Sequence, residues 1–464
     1  MRFCITAVLC LFFGKTAGLS ADEVQPKILA SYVAVAYSRP LGEAVGLVRA
    51  ITPLAQQAAP AILLDGEPVS PVARKNPDPA AFPVNVWEAV IPLGARVSVA
   101  GQPLPTIVRN PAKVVVFGDS GCKSDQGCDD PANWPFGLLT AHAATLKPDL
   151  VIHAGDYNYR GTPSHSPPGN EAWVYDGCGG AYVTQQTQDM PYGDNWHSWF
   201  ADFFTPAAPL LKAAPWVFTR GNHELCARAG TGFFYLVSPH SPLLGKGQPV
   251  NPCEGRQTFT ADPYHLDLGT VNLLVADTAN FCGESLVQEQ VPGYTKVYET
   301  LMAMTVPRRR ANWLLGHRPL FCAGEPLDTQ GMPGMTKVAG AASQTMTAVL
   351  EQPPLTGWNE KVWLMISGHV HKFEFFSPVS EDWPMTMIVG NSGVRLDNPP
   401  LDGLTFAQWE QFGDKISALG YASTKFGYAW LEADGEIWRG RLFGADGGSI
   451  TTFAVSLKPV FPKR

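Results

Sequence analysis

Five short apolar runs in this chain end in the same way, with a glycine followed by side chains that can hold a metal ion. In chain order the junctions are VVVFGD (residues 114–119), LVIHAGDYNY (150–159), WVFTRGNHE (216–224), NWLLGHR (312–318) and LMISGHVH (364–371). Continuous apolar runs of this length predict strands that are buried on both faces. Glycine lets the backbone turn sharply where such a strand ends. Because ligands bind at the carboxyl edge of open α/β sheets, the pattern predicts an α/β fold with a ligand site at that edge.

The side chains after these glycines form a recognisable set of metal ligands. Oxygen and imidazole ligands of this kind suit iron, manganese or zinc better than a soft copper site. Seven ligands are too many for one tetrahedral ion, but they suit two ions that share a bridging carboxylate. Each motif alone is a weak signal, since Gly-Asp is usually a turn and a single histidine is often a core residue. The predicted ligands are Asp119, Asp156, Tyr159, Asn222, His317, His369 and His371.

Taken together, the series of motifs resembles the calcineurin-like metallophosphoesterases over about residues 113–372. The second motif, GDxxY, is similar to that of the purple acid phosphatases within this superfamily. The resemblance implies an α/β (α+β) fold of two packed mixed β-sheets flanked by helices. It also implies a ferric ion held by Asp119, Asp156, Tyr159 and His371. A second, divalent ion (Zn²⁺, Mn²⁺ or Fe²⁺) would be held by Asp156, Asn222, His317 and His369, so that Asp156 bridges the two.

The resemblance implies hydrolysis of phosphate monoesters, with His223 facing the substrate. The two ions would polarise the phosphoryl oxygens and lower the pKa of a bound water, which then attacks phosphorus in line. His223 would position the phosphoryl group or protonate the leaving oxygen. Arg160 and Arg318 are adjacent to ligands and could bind phosphate, but a role in structural ion pairs is equally compatible with the sequence.

Three alternatives stay open at this point. Tyr159 could be an ordinary aromatic residue of a loop that also holds Tyr157. The protein could be a phosphodiesterase or nucleotidase with two divalent ions and no tyrosinate ligand. It could also be a secreted binding protein that kept the fold and lost catalysis, although the complete ligand set argues against this.

The regions outside the motifs predict the domain organisation. Residues 22–110 contain short apolar runs separated by turn signals such as Asp65-Gly66, which predicts a small β-rich, sandwich-like domain. Residues 111–458 are predicted to form the catalytic domain. It ends in strands that include a hairpin at Asp434-Gly435. Residues 160–195 form an insertion long enough to be functional.

Composition limits the kinds of partner. The formal net charge is −7 and no long lysine- and arginine-rich run is present, which argues against nucleic acid or an anionic membrane as the main partner. A small phosphorylated substrate remains compatible, because a local positive site can bind it. No apolar run after the N-terminus reaches transmembrane length. The sequence does not reveal the oligomeric state.

The N-terminus and the cysteines predict an exported protein, periplasmic or extracellular. Residues 1–21 have a basic Arg2, a short apolar stretch and small residues, as in a secretory signal peptide. Without that segment, seven cysteines remain, enough for three disulfides and one free thiol in an oxidising compartment. Many pairings are possible, and the short spacing favours Cys122–Cys128 as a local bridge. The seven cysteines are Cys122, Cys128, Cys178, Cys226, Cys253, Cys282 and Cys322.

Overall fold

A computed structural model describes most of the chain. The described residues are 27–123, 125–160, 173–175, 181–183, 193–245, 251–256, 258–326, 335–398 and 401–456. The predicted signal peptide lies outside them, as do most of the 160–195 insertion and the last residues of the predicted catalytic domain. None of the helices in these ranges is both long and apolar enough to cross a bilayer.

Strands dominate the described residues. Numbered β1 to β26 in chain order, they are Ala30–Ser38, Glu43–Pro53, Ile62–Leu64, Glu67–Val69, Val72–Ala73, Val84–Ile91, Val97–Val99, Gln102–Leu104, Lys113–Phe117, Leu150–His153, Trp173–Tyr175, Ala181–Val183, Trp216–Phe218, Tyr264–Asp267, Asn272–Val275, Asn312–Leu315, Phe321–Pro326, Thr336–Ala342, Leu364–Ser367, Phe373–Pro378, Met385–Val389, Gly403–Gln411, Asp414–Ser423, Gly427–Asp434, Ile437–Gly444 and Ser449–Val455. The strands predicted before the five glycine junctions are all present. The predicted hairpin at Asp434-Gly435 joins β24 to β25, with Asp434 paired to Ile437.

Helices are fewer and mostly short. Numbered α1 to α7, they are Phe136–Thr145, Trp196–Trp199, Thr205–Leu211, Gly230–Gly232, Val291–Ala303, Gln344–Leu350 and Trp358–Lys361. Shorter or wider helical turns cover Phe200–Phe204, Asn222–Glu224, Phe233–Val237, Pro242–Leu244, Gln288–Gln290, Arg309–Ala311 and Pro353–Leu355.

Two ten-stranded mixed sheets form the body of the protein. The first has the order β26-β25-β24-β9-β10-β13-β1-β2-β6-β5, and the second β14-β15-β16-β19-β21-β20-β23-β22-β18-β17. In the first sheet, β9, β10 and β13 are parallel neighbours. In the second, β15, β16, β19 and β21 are parallel neighbours. The prediction of two mixed sheets is confirmed, and the five strands that carry the motifs, β9, β10, β13, β16 and β19, are all among these parallel neighbours.

Successive side chains along the central strands pack on opposite faces of each sheet. Val114 and Val116 of β9 belong to the core between the two sheets, whereas Val115 and Phe117 pack against helices on the outer face of the first sheet. In the second sheet, Leu273 faces the inter-sheet core, and its neighbour Leu274 faces an outer helical layer that includes α5. Both faces are therefore covered, which explains why the central strands have continuous apolar runs.

The N-terminal region is β-rich, as predicted, but it does not form a sandwich of its own. Strands β1, β2, β5 and β6 hydrogen-bond into the first large sheet, where β1 runs parallel to β13. Strands β3, β4, β7 and β8 form a small separate sheet. Ile62 and Val97 of that sheet join the core between the two large sheets. Residues on both sides of position 110 therefore pack into the same hydrophobic core. The predicted domain limits 22–110 and 111–458 stay predictions.

The disulfides agree with the cysteine count. Cys122 is bonded to Cys128, as the spacing favoured, and Cys226 to Cys253. Cys282 is also disulfide-bonded, and among the described cysteines Cys322 is the free thiol.

Candidate metal centre

The loops after five central strands meet where the carboxyl edges of the two sheets lie together. The first sheet contributes the loops after β9, β10 and β13, and the second contributes those after β16 and β19. Contacts between side chains from both sheets define one buried cluster. All seven predicted ligands belong to it, and two groups of contacts can be distinguished.

The first group of contacts centres on the Tyr159 hydroxyl. Its oxygen lies 3.0 Å from Asp119 Oδ1, 3.0 Å from Asp156 Oδ2 and 3.1 Å from His371 Nε2. His371 Nε2 lies 3.6 Å from Asp119 Oδ1. These four residues are the set that the resemblance assigns to the ferric ion.

The second group centres on Asn222. His317 Nε2 lies 2.9 Å from Asn222 Oδ1, and His369 Nδ1 lies 3.0 Å from the same oxygen. His317 Nε2 also lies 3.3 Å from Asp156 Oδ2. One ligand atom each from Asp156, His317 and His369 lie within 4.8 Å of one another. Asp156 contacts both groups, which is the position a bridging carboxylate requires.

The donor set fits a cation. His317 Nδ1 lies 2.8 Å from the Ala154 carbonyl oxygen, so Nδ1 carries a proton, and in the neutral ring Nε2 is then an acceptor. Nε2 then faces two further acceptors, Asn222 Oδ1 and Asp156 Oδ2. Three acceptor atoms converge with no proton between them, an arrangement that a positive ion satisfies.

The balance of charge in the cluster also indicates a site for cations. Asp119 and Asp156 are buried, and in the described part of the chain the charge-bearing groups paired with them are histidines. Burial and the nearby charge of Asp156 raise the pKa of Asp119 well above its usual range. Burial, together with Asp119 and Asp156, raises the pKa of Tyr159 well above that of a free phenol. Bound cations would reverse these effects, since they stabilise carboxylates and phenolates.

Two of the predicted histidine ligands, His369 and His371, lie in environments that favour the neutral ring. Burial and the field of Lys123 lower the pKa of His371 to about 4. Burial and Arg318 lower the pKa of His369 well below its usual value. Imidazole coordinates a metal only when a ring nitrogen is unprotonated, so these environments favour the ligand form at neutral pH.

The backbone of the cluster is strained at three predicted ligands. Asp119, Asp156 and His369 have φ values of 54°, 61° and 73°, in the left-handed region. Such conformations are unfavourable for residues with a Cβ and concentrate at functional sites. The glycines allow close approach: a Cβ at Gly221 would lie 2.1 Å from Asp156 Oδ1, and one at Gly368 would lie 2.3 Å from Asp119 Oδ2.

A buried carboxylate, Glu224, ties two of the loops together. Its oxygens accept hydrogen bonds from the backbone N–H groups of Asp156, Tyr157 and Asn158 at 2.8 to 3.1 Å, and from that of Gly221 at 3.0 Å. The sequence showed Glu224 as the last residue of the GNHE motif, but its role was missed because its partners are backbone atoms of a distant loop.

A second missed residue is Asp397, which supports His371 from outside the cluster. Asp397 Oδ1 lies 3.4 Å from His371 Nδ1, and Asp397 Oδ2 accepts the His371 backbone N–H at 3.0 Å. A carboxylate in this position orients the ring so that Nε2 faces the cluster. Asp397 lies 26 residues beyond His371 without a motif, so no sequence signal marked it.

His223 lies at the partly exposed side of the cluster. Its ring centre is 3.7 Å from that of Tyr159, and its backbone N–H donates to Asp156 Oδ1 at 2.8 Å. Arg228, another residue that sequence reasoning missed, places Nη2 2.7 Å from His223 Nδ1. His223 therefore stands beside the predicted ligands and in contact with a guanidinium group.

The sequence did not decide whether Arg160 and Arg318 bind phosphate or form structural ion pairs, and the structure places them in different surroundings. Arg160 forms a buried ion pair with Asp202 at 2.6 Å, which accounts for it as a structural residue. Arg318 Nη1 lies 3.0 Å from His369 Nε2, so Arg318 contacts a predicted ligand.

The fold and the cluster together define a class: a two-sheet α/β protein with oxygen and imidazole ligands gathered at the carboxyl edges of both sheets. The model of the calcineurin-like phosphoesterase family matches residues 112–373, more than half of the chain. The chain belongs to this family. Membership implies a phosphoric ester hydrolase with a dinuclear metal site.

Relatives and solved structures are similar to this chain at low identity. A nucleotide pyrophosphatase/phosphodiesterase of Hordeum vulgare is 22% identical over 362 residues, which cover 70% of this chain and 81% of the relative. The purple acid phosphatase PPD1 of Lupinus luteus seeds has a TM-score of 0.52 at 13% identity, covering 92% of this chain and 74% of that structure. A structure described as PhoD has a TM-score of 0.51 at 12% identity, covering 93% and 90%. These structural similarities confirm the predicted fold.

Proposed function

We propose that this protein is an exported dinuclear-metal phosphatase that hydrolyses phosphate monoesters. The observation that carries the proposal is the convergence of predicted ligands on the Asp156 carboxylate: His317 Nε2 lies 3.3 Å away on one side and the Tyr159 hydroxyl 3.0 Å away on the other. Family membership supports phosphoester hydrolysis. The disulfides are compatible with an oxidising compartment.

The proposed ligand sets are those of the two groups of contacts. Asp119, Asp156, Tyr159 and His371 would hold a ferric ion, and Asp156, Asn222, His317 and His369 a divalent one. Two bound cations would polarise the phosphoryl oxygens and lower the pKa of a bound water. The protein's own contribution is to fix the positions of these side chains, through Glu224 for the Asp156 loop and Asp397 for His371.

His223 is the proposed substrate-facing residue. Arg228 Nη2 lies 2.7 Å from His223 Nδ1 and 3.1 Å from His223 Nε2, and because an arginine side chain can only donate, this contact favours the neutral form of the ring. Burial and Arg228 lower the pKa of His223 well below its usual value, so the ring is neutral. A neutral His223 can donate its ring N–H to a phosphoryl oxygen or to the leaving oxygen.

The activity is tested by comparing a monoester with a diester. We expect purified, metal-loaded protein to hydrolyse p-nitrophenyl phosphate with a higher kcat/KM than bis-p-nitrophenyl phosphate. A preference for the diester would favour the alternative of a phosphodiesterase or nucleotidase, which the name of the Hordeum vulgare relative also suggests. No turnover of either ester by protein that contains both ions would leave the third alternative, a binding protein.

The ferric assignment predicts colour. A phenolate on ferric iron has a charge-transfer band in the visible, so the oxidised protein should be pink to purple. Tyr159→Phe should remove the band while activity falls only modestly, because the phenolate tunes the ion without having to contact substrate. The measurement is a visible spectrum together with iron content.

Tyr157 provides the matched control for this variant. It lies in the same loop, but its hydroxyl donates to the Thr219 carbonyl oxygen at 2.9 Å, outside the cluster. Tyr157→Phe should keep the visible band. A colourless wild-type protein with stoichiometric ferric iron would refute the tyrosinate ligand, and one with only divalent metals would indicate a metallophosphoesterase of the broader class.

A further inference from the structure

Lys123 is a cation beside the candidate metal centre that neither the motifs nor the ligand set explains. It follows Asp119 by four residues in the loop after β9. Its Nζ atom lies 5.8 Å from the centre of the Tyr159 ring. The hydroxyl of that ring contacts Asp119 and Asp156, so the Lys123 ammonium group stands next to the proposed ferric side of the site.

The loop that carries Lys123 is fixed at several points. The Cys122–Cys128 disulfide closes it. Gln126 Nε2 donates to the carbonyl oxygens of Asn133 and Gly393, both at 2.7 Å. Gln126 Oε1 accepts the backbone N–H of Arg395 at 2.8 Å. These bonds hold the backbone of the loop against the segment that follows β21 and restrict where the half-buried Lys123 side chain can reach.

Within the described residues, no ion pair neutralises the charge of Lys123. Among the described residues, the nearby carboxylates are engaged elsewhere: Asp125 pairs with Arg395 at 2.7 Å, and Asp397 contacts His371. No carboxylate in the described ranges forms an ion pair with Lys123. Burial and Arg395 lower the pKa of Lys123, and the opposing charges of Asp397, Asp119 and Asp156 compensate this only in part. Partly desolvating a charge without a partner is unfavourable, so the position suits an anionic ligand.

We propose that the Lys123 ammonium group binds a negatively charged oxygen of the substrate's phosphoryl group and thereby favours monoesters over diesters. This inference rests on the proposed function. Above its second pKa, near 6, a phosphate monoester carries two negative charges, whereas a diester carries one. A fixed cation beside the metal centre interacts with the additional charge, which a diester lacks. Lys123 would thus determine specificity without being a ligand of either ion.

The test combines phosphate binding with turnover at pH 7.5. Lys123→Met removes the charge and keeps a similar chain length, and Lys123→Arg restores the charge. Lys212→Met is the control, because Lys212 is an exposed lysine that follows α3. Calorimetry with inorganic phosphate would be carried out on metal-loaded protein whose metal content is measured for every variant.

We expect Lys123→Met to weaken phosphate binding about 10- to 100-fold, the range for a lost charge-assisted hydrogen bond, with metal content unchanged. The kcat/KM for p-nitrophenyl phosphate should fall by a similar factor, while that for bis-p-nitrophenyl phosphate falls at most about threefold. Lys123→Arg should bind phosphate within about threefold of the wild type, and Lys212→Met should match the wild type.

The inference can fail independently of the proposed function. If the wild type hydrolyses neither ester, the proposed function fails, and weakened phosphate binding in Lys123→Met would still support the role of Lys123. Equal phosphate affinity in wild type and Lys123→Met, or an equal loss of monoester and diester turnover, would overturn the inference about Lys123. Absence of phosphate binding to the wild type would overturn it as well.

Discussion

Asp156→Asn is expected to lose most of its bound metal and to lower phosphatase activity by about 10³-fold or more, as removal of a central electrostatic group does in other enzymes. Asp156 contacts both groups of predicted ligands, with Oδ2 3.0 Å from the Tyr159 hydroxyl and 3.3 Å from His317 Nε2. A neutral amide would remove a negative charge that both cations share. No other predicted ligand contacts both groups through a carboxylate, so the loss should exceed that of any other single ligand.

Backbone strain should not contribute to the effect of Asp156→Asn. Asp156 has a φ of 61°, and asparagine tolerates the left-handed region about as well as aspartate. Asp65→Asn is the matched control, because Asp65 has a φ of 51° in the exposed β3–β4 hairpin turn and Asn-Gly suits such turns. Metal content and kcat would be measured for both variants. A wild-type metal content and rate in Asp156→Asn would refute the dinuclear assignment.

Gly221→Ala is the second substitution with a large expected effect. The backbone of Gly221 is extended, with φ −97° and ψ 179°, so alanine is conformationally allowed there. The obstacle is steric: the new Cβ would lie 2.1 Å from Asp156 Oδ1 and 2.4 Å from the Asp156 backbone nitrogen. The Asp156 and Asn222 loops would have to separate. Since misplacing a reacting group by about 1 Å can cost about 10²-fold in rate, we expect an activity loss of that size.

Overpacking should also lower the free energy of unfolding by about 1–3 kcal/mol. Gly293→Ala is the matched control: Gly293 lies in α5, and a Cβ there would meet no atom within 4 Å. That variant should keep wild-type activity and be equally or slightly more stable. Denaturant unfolding and kcat would be compared for the two variants. Equal behaviour of Gly221→Ala and Gly293→Ala would show that the two loops are not closely packed.

The central strands and the meeting of the motif loops were predictable from the sequence for a physical reason. Strands such as β9 and β16 are buried on both faces, so their apolar runs are continuous and easily recognised. Parallel neighbours such as β9 and β10 also bring their carboxyl ends to one edge. The positions of Asp119 and Asp156 at that edge follow from the topology alone.

The supporting contacts were not predictable in the same way. Glu224 binds backbone N–H groups about 66 residues away, and Asp397 reaches His371 from a later loop. Such contacts depend on how loops pack and leave no periodic pattern. The N-terminal strands were identified, but their pairing with β13 requires long-range register that composition does not contain. The assignments of metal ligands themselves stay predictions.

The predicted ligands are divided between the two sheets: the first supplies Asp119, Asp156, Tyr159 and Asn222, and the second supplies three histidines. An ion bound to both sets would cross-link two layers that are otherwise held together by apolar packing and a few hydrogen bonds, such as that from the Val394 N–H to the Asp119 carbonyl oxygen. The affinity for metal should therefore depend strongly on how the two sheets are positioned relative to each other. Trp313→Ala, which would leave a cavity in the inter-sheet core, should weaken metal binding even though no ligand has been altered. Removal of the metal by a chelator should in turn make the two layers easier to separate.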